Sequence, residues 1–352
     1  MTLDNRQKDI LLTVVKKYIL TGQPVGSRTV ARDSSLKLSP ASIRNIMADL
    51  SDEGYLEQPH TSAGRVPTSK GIRVYLDSSL ELEPLSREIE ERIKSTLSSV
   101  GPDLSQTLSQ TCKVLSSLSS QISLVITPSQ QLIRWQQIDF VLLRPGLVMS
   151  ILVMEGGMIN NKVIKVDDDI SSDDLIRFSN YLNEHFQGKT LLHVRASILA
   201  QMQAARKKFE NLYEKALQLA RDSFEDASRQ IFVEGTHYLF QGTDFSDLNK
   251  MRELFKILEE KSRLLKLLDK TIESRNLSII LGREEKMDEL NDFTVISSPY
   301  SIRDENIGAV SIIGPTRMNY SRIVPAVDLT AKILSQLLQG IYENGSDLQG
   351  QA

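Results

Sequence analysis

Arg44 and Asn45 are neighbours in the run Ser39-Pro40-Ala41-Ser42-Ile43-Arg44-Asn45, and both side-chain types suit the reading of a DNA base edge. An Arg fork can bond guanine and an Asn amide can bond adenine, each through two hydrogen bonds in the major groove. Ala41 and Ala48 would let a backbone approach closely, and Ser42 adds a hydroxyl beside them. A second polar group is the loop Pro59-His60-Thr61-Ser62-Ala63-Gly64-Arg65, with two small hydroxyls and one Arg. That composition suits phosphate or minor-groove contact. Lys70 and Arg73 could extend the contact further along the chain. On residues 41–49 alone, an ordinary solvated helix face fits as well as a DNA reader, so the elements around them decide.

Ile10, Leu11, Val14, Val15, Tyr18 and Ile19 form one apolar stripe of an amphipathic helix over 6–20, stopped by Thr21-Gly22-Gln23-Pro24. Ser27 is the expected N-cap of a short second helix to about Asp33, with Val30 and Ala31 turned inward. Ser39 caps a third helix, and Pro40 follows at the first helical position, where its missing N–H costs nothing. Ile43, Ile46, Met47 and Leu50 mark its core face, which sends Ala41, Asn45 and Ala48 outward with Ser42 and Arg44 at their flanks. Gly54 ends that helix, Tyr55–Gln58 reads as a short strand, and Val66–Thr68 as its return. Three helices and a hairpin make a winged helix-turn-helix whose loop is the wing.

Charge agrees with this reading. Residues 1–75 hold eleven Lys or Arg against seven Asp or Glu, a net of +4, so the remaining 277 residues carry −7 of the chain's −3 total. A basic end on an acidic body suits an N-terminus that meets a polyanion.

The run Ser39–Asn45, with Gly54-Tyr55-Leu56, Pro59–Thr68 and Gly71-Ile72-Arg73-Val74-Tyr75-Leu76-Asp77, resembles the recognition helix, wing and exit helix of the HrcA repressor family. Ser42 stands where Thr is usual and Ile72 where an aromatic is common; both keep size or polarity. The expected DNA-contacting set is Ser27, Arg28, Ser39, Ser42, Arg44, Asn45, His60, Thr61, Ser62, Arg65 and Lys70. Arg44 and Asn45 would read bases, while Arg28, Arg65, Lys70, Thr61 and Ser62 would hold the backbone. The resemblance implies a homodimer on an inverted-repeat operator, the CIRCE element, upstream of chaperonin and Hsp70 operons. It also implies that the chaperonin GroEL keeps the repressor active until misfolded clients occupy it on heat stress.

The rest of the chain reads as α+β. One or two helices over 85–120 carry Leu97, Leu104, Leu108, Leu115 and Leu118, some of them candidates for a dimer seam. Strands are expected at Ile122–Ile126, Ile133–Leu143, Leu147–Met154, Met158–Val166, Leu277–Leu281, Phe293–Ser297 and Ala309–Ile313, with helices from Ser171/Ser172 to Phe186 and over Tyr320–Tyr342. Between them, stripes at Met202–Phe224 and Leu254–Leu268 flank a strand-like Gln230–Phe240. The expected organisation is a winged helix-turn-helix over 1–80 and a helical linker over 81–120. By resemblance, a GAF-like α+β domain follows over 121–190 plus 276–342, with an inserted dimerisation domain over 191–275. A disordered tail over 343–352 closes the chain.

Chemistry beyond binding is sparse. No phosphate-loop, dinucleotide, H-E-x-x-H or G-x-S-x-G motif occurs, and His185, His193 and His237 lack metal-ligand spacing. Cys112 is the single cysteine, which leaves no internal disulfide or multi-cysteine zinc site. Asp167-Asp168-Asp169 reads as an acidic turn. The expectation is a cytoplasmic DNA-binding regulator with no catalytic residues, cofactor, metal or membrane span. Two rivals stay open: a winged-helix regulator with a small effector in the GAF-like domain, and a chaperonin client or adaptor whose basic end is incidental.

Overall fold

Asp4 starts the first helix with a reciprocal cap, accepting from Gln7 N at 2.7 Å while Gln7 Oε1 accepts from Asp4 N at 3.1 Å. The computed structural model describes residues 3–36, 38–60, 63–100, 103–127, 134–155, 159–166, 170–191, 193–194, 196–198, 219–220, 229–240, 248–284, 290–302 and 305–347. Helices α1 (Asn5–Thr21), α2 (Ser27–Asp33) and α3 (Pro40–Asp52) are followed by the hairpin β1 (Leu56–Glu57) and β2 (Val66–Pro67), then α4 (Ser69–Ser78). These elements form the N-terminal head. Its centre is Ile10, Leu11, Val14 and Val15 of α1 against Val30, Ile43, Met47, Leu50, Leu56 and Ile72, all buried.

Two separate sheets build the body. Strands β4 (Trp135–Arg144), β5 (Leu147–Met154) and β6 (Ile159–Lys165) form an antiparallel meander, covered on one face by α7 (Ser172–Phe186). Trp135, Ile138, Val148, Leu152 and Ile164 meet Leu175, Phe178, Leu182 and Phe186 in a core of their own. The second sheet has the order β7-β3-β10-β9-β8, all antiparallel, from β3 (Ile122–Ile126), β7 (Ile231–Glu234), β8 (Ser278–Leu281), β9 (Phe293–Ile302) and β10 (Glu305–Pro315).

Both faces of the five-stranded sheet are covered, so that even its small polar residues Ser123, Thr294, Ser297 and Ser311 are buried. Ile122, Leu124, Ile126, Val295 and Ile313 pack on α8 (Leu248–Glu259) and α9 (Lys261–Ser274) through Leu254, Ile257, Leu264 and Leu268. The alternate residues Val125, Ile296, Val310 and Ile312 pack on α6 (Leu104–Ser119) and α10 (Tyr320–Asp347). Helix α5 (Arg87–Ser98) lies outside these two, with Ile93 and Leu97 against Val114 and Ile333.

Several expectations change. The sheets divide the chain differently from the expected partition: 135–186 stands apart from the five-stranded sheet, and β7, α8 and α9 belong to it. Residues 230–240 form the short strand β7 and a 3₁₀ turn, Thr236–Phe240. Leu97, Leu104, Leu108 and Leu115 are buried within the chain, and so are Leu254, Leu264 and Leu268. These residues are taken up by the chain's own cores, whereas Leu118, Phe255, Leu258 and Leu265 are only partly buried. Helix α10 runs to Asp347, so Glu343–Asp347, expected in a disordered tail, are helical. The stripe over 202–218 and 221–224, and Asp167–Asp169, lie outside the described residues. Among the described residues no helix is long and apolar enough to cross a membrane.

Candidate nucleic-acid interface

Helix α3 is fixed at both ends. Ser39 Oγ accepts from Ser42 N at 3.1 Å and lies 3.0 Å from Ser42 Oγ, so the two hydroxyls engage each other at the helix start. At the far end Lys70 Nζ donates to the carbonyl of Glu53 at 2.9 Å and sits 3.9 Å from the centre of the Tyr55 ring. Gly54 follows with φ of +77°, a left-handed turn that favours glycine. With Ile43, Met47 and Leu50 buried, Ala41, Ser42, Arg44 and Asn45 are exposed together on the opposite face.

The wing returns onto the segment that opens α2. Val25 and Arg65 exchange two backbone hydrogen bonds, Val25 N to Arg65 O at 2.8 Å and Arg65 N to Val25 O at 2.9 Å. Gly64 makes that approach possible, because a Cβ there would lie 2.5 Å from the carbonyl carbon of Val25. A hollow of about 460 Å³ results, lined among others by Ser27, Arg44, Gln58 and Arg65. Arg65 Nε is buried, with no hydrogen-bond partner among the described residues. Two guanidiniums around one solvent-open hollow can grip a phosphate oxygen, and a partnerless buried N–H gains from any acceptor brought to it.

The expected site residues fall into three groups. Ser27, Arg44 and Arg65 line the hollow, and Asn45 stands exposed beside Arg44. Arg28 is exposed near the start of α2, and His60 is exposed in the wing, its carbonyl accepting from Ala63 N at 2.8 Å. Ser39, Ser42 and Lys70 are instead engaged in holding α3, and Arg73 turns away from the wing toward the body. Thr61 and Ser62 lie outside the described residues. Ser27 is the first residue of α2 rather than its cap; Gly26 holds the cap position and makes no side-chain bond there.

Gln58 is a further candidate that sequence reasoning passed over. It lines the hollow and its amide donates to Ala63 O at 3.1 Å, bracing the wing. The signal was the hairpin register, since Glu57 pairs with Val66 and the next step places Gln58 opposite Arg65. The head is also tied across its helices: Lys17 and Asp33 pair at 2.8 Å. Hydrogen bonds from Lys17 and then Arg32 hold the Asp33 carboxyl below the ordinary carboxylate value.

Known proteins share this organisation. Residues 105–324 match the family model described as "HrcA protein C terminal domain". A heat-inducible transcription repressor HrcA of Geobacter sulfurreducens is 39% identical over 338 residues, covering 96% of this chain and 99% of that relative. One from Nitratidesulfovibrio vulgaris (strain DSM 19637 / Miyazaki F) is 40% identical over 343 residues, covering 96% of each. A solved structure described as a hypothetical protein at 2.2 Å resolution superposes with a TM-score of 0.64 at 23% identity, over 97% of this chain and 100% of its own. That likeness concerns the fold.

Proposed function

This chain belongs to the HrcA family of heat-inducible transcription repressors, and we propose that it acts as a homodimer that represses chaperonin and Hsp70 operons by binding the CIRCE inverted repeat. The observation that carries this reading is the outward face of α3, where Arg44 and Asn45 stand exposed beside the Arg65-lined hollow. In this arrangement α3 enters the major groove, Asn45 and Arg44 meet base edges, and Arg65 with Arg28 and the wing grips the flanking backbone. A two-fold dimer matches a two-fold operator.

The exposed side of the three-stranded sheet supports a homodimer. Antiparallel pairing aligns Val141, Met149 and Val163 in one row on the face opposite α7, and Ile159 lies further along it. Val141, Leu143, Ile159 and Val163 are 41–66% exposed, an apolar patch of the kind that marks an interface. The five-stranded sheet with its two helical layers is the GAF-like unit in this reading, and the protein works in the cytoplasm as a non-catalytic regulator kept active by GroEL.

Fluorescence anisotropy on a labelled inverted repeat and on a fully scrambled duplex, across a salt series and with or without GroEL, tests the proposal. Tight binding to the repeat, raised by GroEL, is the expected result. Equal binding to both duplexes with only a steep salt slope would reduce the head to a non-specific phosphate binder. Specific binding indifferent to GroEL would keep the repressor and remove the chaperonin from the account.

A further inference from the structure

The head meets the body through a continuous apolar core and a set of polar contacts at its edge, and one of those contacts has a geometry that surface ion pairs seldom have. Arg73, on α4, donates from Nε to Glu284 Oε1 at 2.9 Å, from Nη2 to the other oxygen of the same carboxylate, and again from Nη2 to the carbonyl of Ile279 at 2.8 Å. Asp77, one turn along α4, stands 3.7 Å from Nη1. The guanidinium is thus held in one plane by a bidentate carboxylate and a backbone carbonyl together. Such a fork fixes orientation as well as distance.

Each end of the clasp is anchored in its own unit. Arg73 lies between Ile72 and Tyr75, both buried in the head core with Leu11 and Leu56, so α4 cannot turn without α1 and α3. Glu284 ends a 3₁₀ turn after β8, and the preceding Gly282 is pressed so closely under the Leu290 carbonyl that a Cβ would not fit. Sequence separation makes this a tie between units: Arg73 belongs to the reading head and Glu284 to the five-stranded sheet.

We infer that Arg73 and Glu284 are positioning residues for operator recognition, setting where each head sits on the body and so how far apart two heads stand on DNA. The inference rests on the dimeric repressor reading above. A pair whose side chains are 30% and 36% exposed adds little to stability. Its effect lies in geometry. Two heads on rigid mounts offer the second half-site to the DNA at high effective concentration, and heads that swing lose that advantage without losing any contact to a base.

The test compares wild type with Glu284→Ala and Arg73→Lys on a single half-site, on the full repeat, and on repeats with the spacer shortened or lengthened by a few base pairs. Arg73→Lys keeps the charge and removes the fork, so it separates orientation from simple attraction. Both variants should bind the half-site within about twofold of wild type and the full repeat at least about tenfold more weakly, with a flattened dependence on spacer length. An unchanged ratio of full-site to half-site affinity in both variants would overturn the positioning role. So would a parallel loss on half-site and full site, which would mean that the pair supports the head's own fold. If wild type itself does not prefer the full repeat to a half-site, the dimeric reading fails first, and this inference falls with it.

Discussion

Single side chains separate reading from gripping. Arg44 is exposed on α3 beside Asn45, whereas Arg65 is tied by its backbone to Val25 and has its Nε buried. Arg44→Ala should cost roughly 1–3 kcal/mol and relax preference at one base pair, as a bidentate base contact would. Affinity measured over single-base variants of one half-site checks this; an equal loss on every sequence would make Arg44 a phosphate contact instead. Cys112 belongs to the body and tests its packing. Its thiol donates to the carbonyl of Ser123 at 3.1 Å, and burial pushes its pKa from an ordinary 9.0 up to about 12. Because the folded value is raised, stability from the neutral thiol is complete below the ordinary value and is lost as pH rises from there toward about 12. Thiol-specific labelling of the native protein at mildly alkaline pH should therefore be slow and should accelerate sharply on heating. Rapid stoichiometric labelling in the cold would show that α6 and β3 do not pack as described.

Elements were legible wherever the signal is local. Ser39-Pro40 and Gly54 bracket α3 within a few residues, and Ser171 caps α7 through Asp174 as its sequence suggests. Pairing between strands far apart in sequence was not legible. β7 joins β3 across more than a hundred residues, Val233 opposite Leu124, and nothing local in Ile231–Glu234 announces that partner. The same blindness hid one partner of Lys70, whose charge reads as a DNA contact and which also holds the end of α3. The hairpin return is where an element-scale change can be predicted. Gly64→Ala must push the wing off Val25, and overpacking of this kind costs about 1–3 kcal/mol. Denaturant unfolding should show that loss, together with weaker operator binding as Arg65 shifts. Wild-type stability and wild-type affinity would mean that the wing does not close on Val25.

At the scale of the whole molecule, four cores among the described residues divide the labour. The head core runs continuously into the layer of α6 and α10, the α7 unit has a core of its own, and among the described residues its sheet exposes Val141, Leu143, Ile159 and Val163 on the other face. Val163→Lys on that face should convert dimer to monomer in sedimentation equilibrium while leaving the fold intact, since the side chain is 54% exposed. A dimer unaffected by Val163→Lys would move the interface elsewhere. The central claim is that two such heads read one two-fold operator, and its most direct test is equilibrium binding to an intact inverted repeat against a duplex with one arm scrambled. The account predicts one dimer per intact repeat and a loss of about 1.4 kcal/mol or more, a factor of ten in affinity, when either arm is scrambled. Equal affinity for the two duplexes would contradict it.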